Sequence, residues 1–295
     1  MGRARKDEEM NIKDDCPLSF SGFPALEDIS HPSVHELLVL LNAEQTDFSR
    51  REAEFRSAEY RWPKRPLHTW SRIWEYPYIY HHLKKVNATR TNPQLMKVVD
   101  YGSGVTFFPF AVSKLGCEVT CLDVDPICLL DIPAAAAIVE HAPGSVRAVT
   151  PIGGSCPVDS SSQDVVYCVS VLEHIPDKVA AIDDMHRILR PGGHLLLTFD
   201  IDLRGDSELG VSDFNSLLSE LAGKFDLVAP IRPVHPLSIL TSANSMYPYK
   251  HSRPQGWARQ ALRSVTRRGL FANRLSTPLY LTVFCAVYRK QHAET

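Results

Sequence analysis

Short apolar runs alternate with segments of helical spacing over most of this chain. The apolar runs lie at 97–101, 118–122, 146–150, 164–171, 194–199, 225–229 and 279–288. Runs of this length, rich in Val, Leu, Phe, Tyr and Cys and bounded by turn residues, read as buried strands. Helical spacing falls between them. Phe107, Phe108, Ala111, Val112 and Leu115 share one broad face, with Gly116 where a helix C-cap belongs. A helix or broken helix follows Asp123, another spans 178–189 and ends at Arg190-Pro191-Gly192-Gly193, and a further one spans 212–221. Strand alternating with helix predicts an α/β fold: a doubly wound, mostly parallel sheet with helices on both faces.

Three stretches stand outside this alternation. Residues 1–30 are polar, charged and broken by Pro17 and Pro24, which reads as a mobile tail. Residues 31–94 read as an N-terminal helical and aromatic lid. Its helix starts near Ser33, with Val34, Leu37, Leu38 and Leu41 at helical spacing. Within the lid, residues 61–85 hold three tryptophans, three tyrosines and three histidines. Trp70, Trp74 and Tyr78 fall at i, i+4 and i+8, an aromatic helical face that Pro77 is expected to interrupt. The segment is expected to pack over the core, or to wall a cofactor or acceptor pocket. Residues 95–295 form the main domain, with an insertion at about 230–277 that is too long for a simple connection.

Charge adds a second asymmetry. The 295 residues carry a net charge of −2, but residues 1–226 stand at −11 and residues 227–295 at +9. An anionic partner for the C-terminal part is the natural implication. Inside the insertion, Trp257, Ala261, Leu262 and Val265 make an apolar stripe, while Arg259, Arg263 and Arg267 recur on another face. A basic amphipathic helix over 254–268 suits a docked cap, a phosphate-bearing acceptor or peripheral contact with a membrane. No apolar run approaches the length that spans a bilayer, and the N-terminus has no apolar core of the secretory type. Seven scattered cysteines without C-x-x-C spacing read as reduced thiols and a cytoplasmic setting. Cys117 and Cys121 with His141 are read as packing residues, so no metal is expected.

The stretch 97–126 carries the candidate chemistry. An apolar run ends on Asp100, the small-residue turn Gly102-Ser103-Gly104 follows, then a helix, then a second run ending in Asp123. Glycines let backbone approach a ligand, and an acidic residue about 20 positions on can hold ribose hydroxyls. A dinucleotide site wants a third glycine at position 107, which here is Phe107 followed by Phe108 and Pro109. A pyrophosphate therefore suits this turn poorly, and a ligand with ribose and adenine but no phosphate suits it better. That ligand is S-adenosylmethionine.

Three motifs then agree. DYGSG with the LDVD strand end, QDVVYCVSVLEHIPD, and HRILRPGGHLLLTF resemble, in order and spacing, the class I (Rossmann-like) S-adenosylmethionine-dependent methyltransferases of small-molecule and glycan type. The resemblance covers roughly 95–230 and 278–290. It implies a seven-stranded sheet whose last strand runs antiparallel, inserted between strands five and six. It also implies that Asp100, Gly102, Ser103 and Gly104 lie against the methionine moiety of the cofactor. Thr106, standing where the family has its last glycine, would bond the carboxylate. Asp123 would accept from the ribose and Val124 would flank the adenine. Ser170, Val171 and Leu172 would lie beneath the sulfonium. Many relatives also meet the adenine amine with an acid before strand four. Residues 150–157 contain none, which leaves backbone groups or Ser155.

Methyl transfer from a sulfonium is an in-line displacement, and a hydroxyl acceptor needs a base within reach. The candidates are His174, Asp200 and Asp202, with His235 and Tyr247 behind them. The missing N-P-P-Y tetrapeptide at Ser170-Val171-Leu172-Glu173 argues against nucleobase amines as acceptors, and no motif supports nucleic acid as a partner. The resulting expectation is an enzyme that methylates a small molecule or glycan on oxygen, with an acceptor that can be phosphate-bearing. Its alternatives are a catalytically silent methyltransferase-like binding subunit and an RNA or protein methyltransferase. Acceptor identity, pathway and oligomeric state have no signature in the chain.

Overall fold

In the computed structural model, residues 16–204, 209–249 and 280–291 are described. They build a seven-stranded sheet from β1 (Met96–Tyr101), β2 (Cys117–Leu122), β3 (Ser145–Val149), β4 (Gln163–Val169), β5 (Leu189–Asp202), β6 (Phe225–Leu227) and β7 (Leu281–Lys290). The spatial order is β3-β2-β1-β4-β5-β7-β6. β7 runs antiparallel to both its neighbours, and the pairs from β3 through β5 are parallel. This is the expected doubly wound sheet with its last strand inserted between five and six. β4 is buried along its whole length, as a central parallel strand covered on both faces must be.

The period of two divides the strand side chains between two cores. Val98, Val119, Val165, Leu196, Val283 and Val287 face one layer of helices. Val99, Val166, Leu195, Leu197, Phe284 and Ala286 face the other. The first layer contains α1 (Pro32–Arg50), α2 (Glu52–Phe55), α3 (Arg72–Ala88), α4 (Phe108–Ser113) and α5 (Ile127–Ala136). The second contains α6 (Lys178–Ile188) and α7 (Val211–Ala222). Two helices show their sequence signals directly. α1 has Pro32 in its first turn and a buried stripe of Val34, Leu37, Leu41, Gln45 and Phe48. Asp177 caps α6 by accepting from Ala180 N (2.9 Å). Gly116 closes the turn after α4 at φ +85°.

Several local expectations are corrected. Pro77 does not interrupt its helix: α3 runs through it to Ala88. The ring removes only the bond to the Ile73 carbonyl, and ten buried residues on the helix outweigh that loss. Trp70 lies before the helix, so the aromatic face holds Trp74 and Tyr78 without it. The helix after the glycine turn is only six residues long, all buried. Pro191-Gly192-Gly193 lies inside β5 as an irregularity, where the register passes from Gln163↔Leu189 to Val165↔His194.

Residues 16–30, grouped above with the mobile tail, are packed. Leu18 is fully buried, and Gly22 exchanges both backbone bonds with Cys285 of β7 (2.8 and 3.0 Å). Ser21 N donates to Pro230 O and Leu240 N to Pro24 O, so this segment and residues 230–242 together cover the part of β7 that the short β6 leaves open. A covered edge cannot template association. Residues 1–15 and the helix expected over 254–268 lie outside the described residues, as does most of the insertion. Among the described residues no helix is long and apolar enough to cross a membrane.

Candidate active site

The C-terminal ends of β1, β2, β4 and β5 converge at the crevice where the strand order reverses, the usual ligand position in open α/β sheets. Gly102 and Gly104 follow β1 at φ +84° and +53°, a region closed to most side chains. A Cβ on Gly102 would stand 2.5 Å from both methyls of Val171, so only glycine lets the β1 turn meet the end of β4 this closely. The turn is held from β2. Gly102 N and Ser103 N donate to Leu122 O (2.8 and 3.2 Å), and Gly104 N donates to Asp123 Oδ2 (2.7 Å). Asp125 N donates to Asp123 Oδ1 (2.9 Å). Asp123 is thus the bracket of the turn. Each of its oxygens keeps a second lone pair, enough to accept from a vicinal diol. Val124 beside it is 81% exposed and Ile152 across the β3 loop is 71% exposed, leaving two apolar side chains open to solvent. A left-handed glycine turn, a bracketing carboxylate and open apolar flanks fit a ribose, an adenine and a methionyl group.

Beyond the turn, Thr106 accepts from Phe108 N (3.4 Å). Asp100 at the end of β1 is 4% exposed, and burial pushes its carboxyl up to about 8, with the Tyr167 hydroxyl beside it pulling the other way. Ser103 is buried and its hydroxyl makes no hydrogen bond. At the end of β4, Ser170 takes φ +46°, a strained backbone for a residue other than glycine. Val171 and Leu172 follow, Leu172 fully buried.

A polar network joins these strand ends to α3. Glu75 is fully buried and pairs with Arg72 one turn earlier. Its Oε1 accepts from Ser170 Oγ (2.6 Å) and Thr198 Oγ1 (2.5 Å). Arg72 Nη1 donates to Ser170 Oγ (2.7 Å) and Nη2 to Val169 O (3.4 Å). Asp200 lies 3.4 Å from Ser170 Oγ, and its N–H donates to Glu173 Oε1 (2.9 Å). Glu173 is buried, and loss of solvent raises its carboxyl to about 8. The structure therefore gathers Asp200 with Ser170 and Glu173. His174, the last residue of a short 3-10 turn, is exposed, while its neighbour Glu173 turns inward. Asp202 is buried and accepts from Arg204 N (2.9 Å). His235 is exposed and caps its own turn through Leu237 N (3.3 Å), and Tyr247 lies against His68 (5.1 Å).

Arg72 and Glu75 went unread in the sequence. Their one signal is a pair of opposite charges three residues apart in an otherwise aromatic helix, a pattern expected only when the charges meet each other or a site. Trp74 and Tyr78 belong to the main core.

The loop after β3 is pinned from α6. Cys156 N donates to Asp184 Oδ2 (2.8 Å), and Arg187 Nη2 donates to Cys156 O (2.7 Å). Ser155, named above for the adenine, is exposed in a turn paired with Ile152. All seven cysteines are free, with Cys117 and Cys121 buried in β2. Among the described residues no group of three His, Cys, Asp or Glu side chains could hold a metal ion.

Residues 99–197 match the family model described as a methyltransferase domain. An uncharacterized methyltransferase of Mycobacterium sp. (strain JLS) is 33% identical over 129 residues, 43% of this chain and 48% of that protein. A ubiquinone biosynthesis O-methyltransferase of Xanthomonas axonopodis pv. citri (strain 306) is 28% identical over 167 residues, 53% of this chain and 64% of that protein. The chain thus spans about half to two thirds of the length of these curated relatives. Among solved structures, a TehB-like SAM-dependent methyltransferase from Corynebacterium glutamicum aligns over 85% of this chain and 100% of its own at 14% identity, with a TM-score of 0.41. The strand order, the bracketed glycine turn and the family match over β1 to β5 agree that residues 99–197 form a domain of the methyltransferase kind.

Proposed function

We propose that this chain methylates a small-molecule or glycan acceptor on oxygen. The observation that carries the reading is the glycine turn bracketed by Asp123, because it joins a ribose acceptor to a close-approach backbone in one unit. S-adenosylmethionine supplies an activated methyl group on a sulfonium. The side chains named here bind and orient it. Asp123 accepts the ribose hydroxyls, Val124 flanks the adenine, and Asp100, Gly102, Ser103, Gly104 and Thr106 face the methionyl end. Ser170, Val171 and Leu172 floor the reacting centre. Asp200 is the favoured proton acceptor, since it stands at the strand end beside Ser170. His174 and Asp202 rank behind it on exposure and on burial away from Ser170.

Oxygen as the acceptor atom is supported by the relative named as a ubiquinone biosynthesis O-methyltransferase. A phosphate-bearing acceptor is the finer form of the reading and rests on Arg259, Arg263 and Arg267, the same basic run that suits contact with a membrane surface. Reduced cysteines support a cytoplasmic setting.

Calorimetric titration of the full chain with S-adenosylmethionine and S-adenosylhomocysteine, beside Asp123→Ala, tests the first step. Binding by the native chain and its loss in the folded variant is the expected result. Absence of binding by the native, folded chain overturns the enzyme reading. It would favour a silent binding subunit, the reading that the lack of an acid over residues 150–157 also supports.

A further inference from the structure

A polar cleft borders Tyr60, the residue whose hydroxyl meets Val105 N after the glycine turn. It has a volume of about 320 Å³ and is lined chiefly by Ser49, Glu52, Arg56, Ser57, Tyr60 and Lys64. Its wall is preformed. Asp131 of α5 accepts from both Ser57 N (2.9 Å) and Ser57 Oγ (2.5 Å), and Arg56 stacks on the Tyr60 ring with its guanidinium carbon 4.1 Å from the centroid.

Arg56 is the unusual member. Its side chain is only 4% exposed. Nε donates to Glu52 Oε1 (2.7 Å) and Nη1 to Val105 O (2.9 Å), while Nη2 is buried and makes no hydrogen bond. Ser49 Oγ, on the same cleft, is likewise buried with no partner. Buried donors without partners are rare in native proteins and cost about 1–3 kcal/mol each in general, so each calls for an explanation. Lys64 is exposed and adds a second positive charge to a lining whose one acid, Glu52, is already engaged by Arg56.

We propose that this cleft is a second ligand site, which takes a small oxyanion (a carboxylate or phosphate group) on Arg56, Ser49 and Lys64. A guanidinium with an unused nitrogen, a hydroxyl and an ammonium are the donor set that an oxyanion satisfies. The site is also coupled to the glycine turn, a step that rests on the cofactor reading of that turn. Arg56 holds Val105 by its carbonyl, and the Tyr60 hydroxyl accepts from Val105 N (3.1 Å), so both backbone polar groups of the residue next to Gly104 are gripped by residues of the cleft. An anion that orders Arg56 therefore orders the turn, and the two ligands strengthen each other by the same factor.

The test is calorimetric titration of the full chain with inorganic phosphate and, separately, acetate, at constant ionic strength. Each titration is repeated with saturating S-adenosylhomocysteine. Saturable binding of at least one anion is expected, with a Kd on the order of millimolar. The stronger of the two names the ligand group. Lys64→Ala and Ser49→Ala, which leave the buried grip on Val105 in place, should each weaken it by about three- to tenfold. Arg56→Lys, which keeps the charge but loses the fork, should weaken it further. S-adenosylhomocysteine should raise anion affinity. No saturable binding of either anion, or binding unchanged in Lys64→Ala and Ser49→Ala, overturns the site. Competition between the anion and S-adenosylhomocysteine also overturns it, because the cleft would then be one end of the cofactor pocket. Anion binding by a chain that does not bind S-adenosylhomocysteine leaves the site standing and removes the cofactor reading instead.

Discussion

Asp123 and Gly102 do two jobs each at the scale of the single residue. Asp123 closes the glycine turn and, in the proposed function, also accepts from the ribose of the cofactor. Asp123→Asn can keep at most part of the bracket, so cofactor affinity should fall by about tenfold or more, read by calorimetry, with a smaller loss of stability. Gly102→Ala puts a methyl 2.5 Å from Val171 at a backbone φ of +84°. It should cost about 1–3 kcal/mol in urea unfolding and impair binding, and a neutral result would show that the turn can shift. Asp100 and Glu173 make a different prediction. Their folded carboxyls, raised to about 8 from ordinary values of 3.8 and 4.5, keep protons that the unfolded chain has released. The effect is absent below about pH 4. Between pH 4 and 8 each group lowers stability as the pH rises, and above pH 8 the loss levels off. Asp100→Asn, which mimics the protonated form, should flatten this decline and raise the urea midpoint at pH 8 while weakening cofactor binding. A midpoint at pH 8 that falls instead would mean Asp100 is ionised in the fold. Asp123 and the two glycines were legible in the sequence because turn chemistry is local. The inward turn of Glu173 was not, since adjacent side chains at a 3-10 turn diverge, and the backbone path alone decides which of Glu173 and His174 turns inward.

At the scale of the element, α3 changes meaning between sequence and structure. Its aromatic residues left core packing and a pocket wall both open; Trp74 and Tyr78 fill core, and the charged pair Arg72 and Glu75 meets the strand ends. Glu75 compensates a guanidinium and accepts from two strand-end hydroxyls in a place with no solvent. Glu75→Ala leaves Arg72 without its acid, and the loss should be about 3–5 kcal/mol by chemical denaturation. The double variant Glu75→Leu with Arg72→Met should recover much of that stability without recovering methyl transfer. Failure to recover would place the value of the pair in its geometry rather than in charge balance. Pro77 teaches the same lesson from the backbone side: a helix buried on this scale tolerates the loss of one bond that an exposed helix would not.

At the scale of the whole molecule, the edge of β7 is the structural problem that the chain ends solve. β6 pairs with only three residues of β7, and Gly22 with the segment after β6 covers what remains. A chain beginning at residue 31 should melt lower and self-associate more than one beginning at residue 16, by calorimetry and light scattering, because it bares that edge. Equal behaviour of the two would mean that residues 230–242 cover the edge unaided. The alternation of strands and helices, the glycine turn and the acidic strand end determined the fold class and the turn that the acid brackets from sequence alone, since period and turn chemistry act within a few residues. Which charges enter the site, which residues are core, and how the N-terminal segment closes β7 were decided only by the tertiary structure. Those contacts join residues 75 and 198, or 22 and 285, and no pattern along the chain records a neighbour that far away.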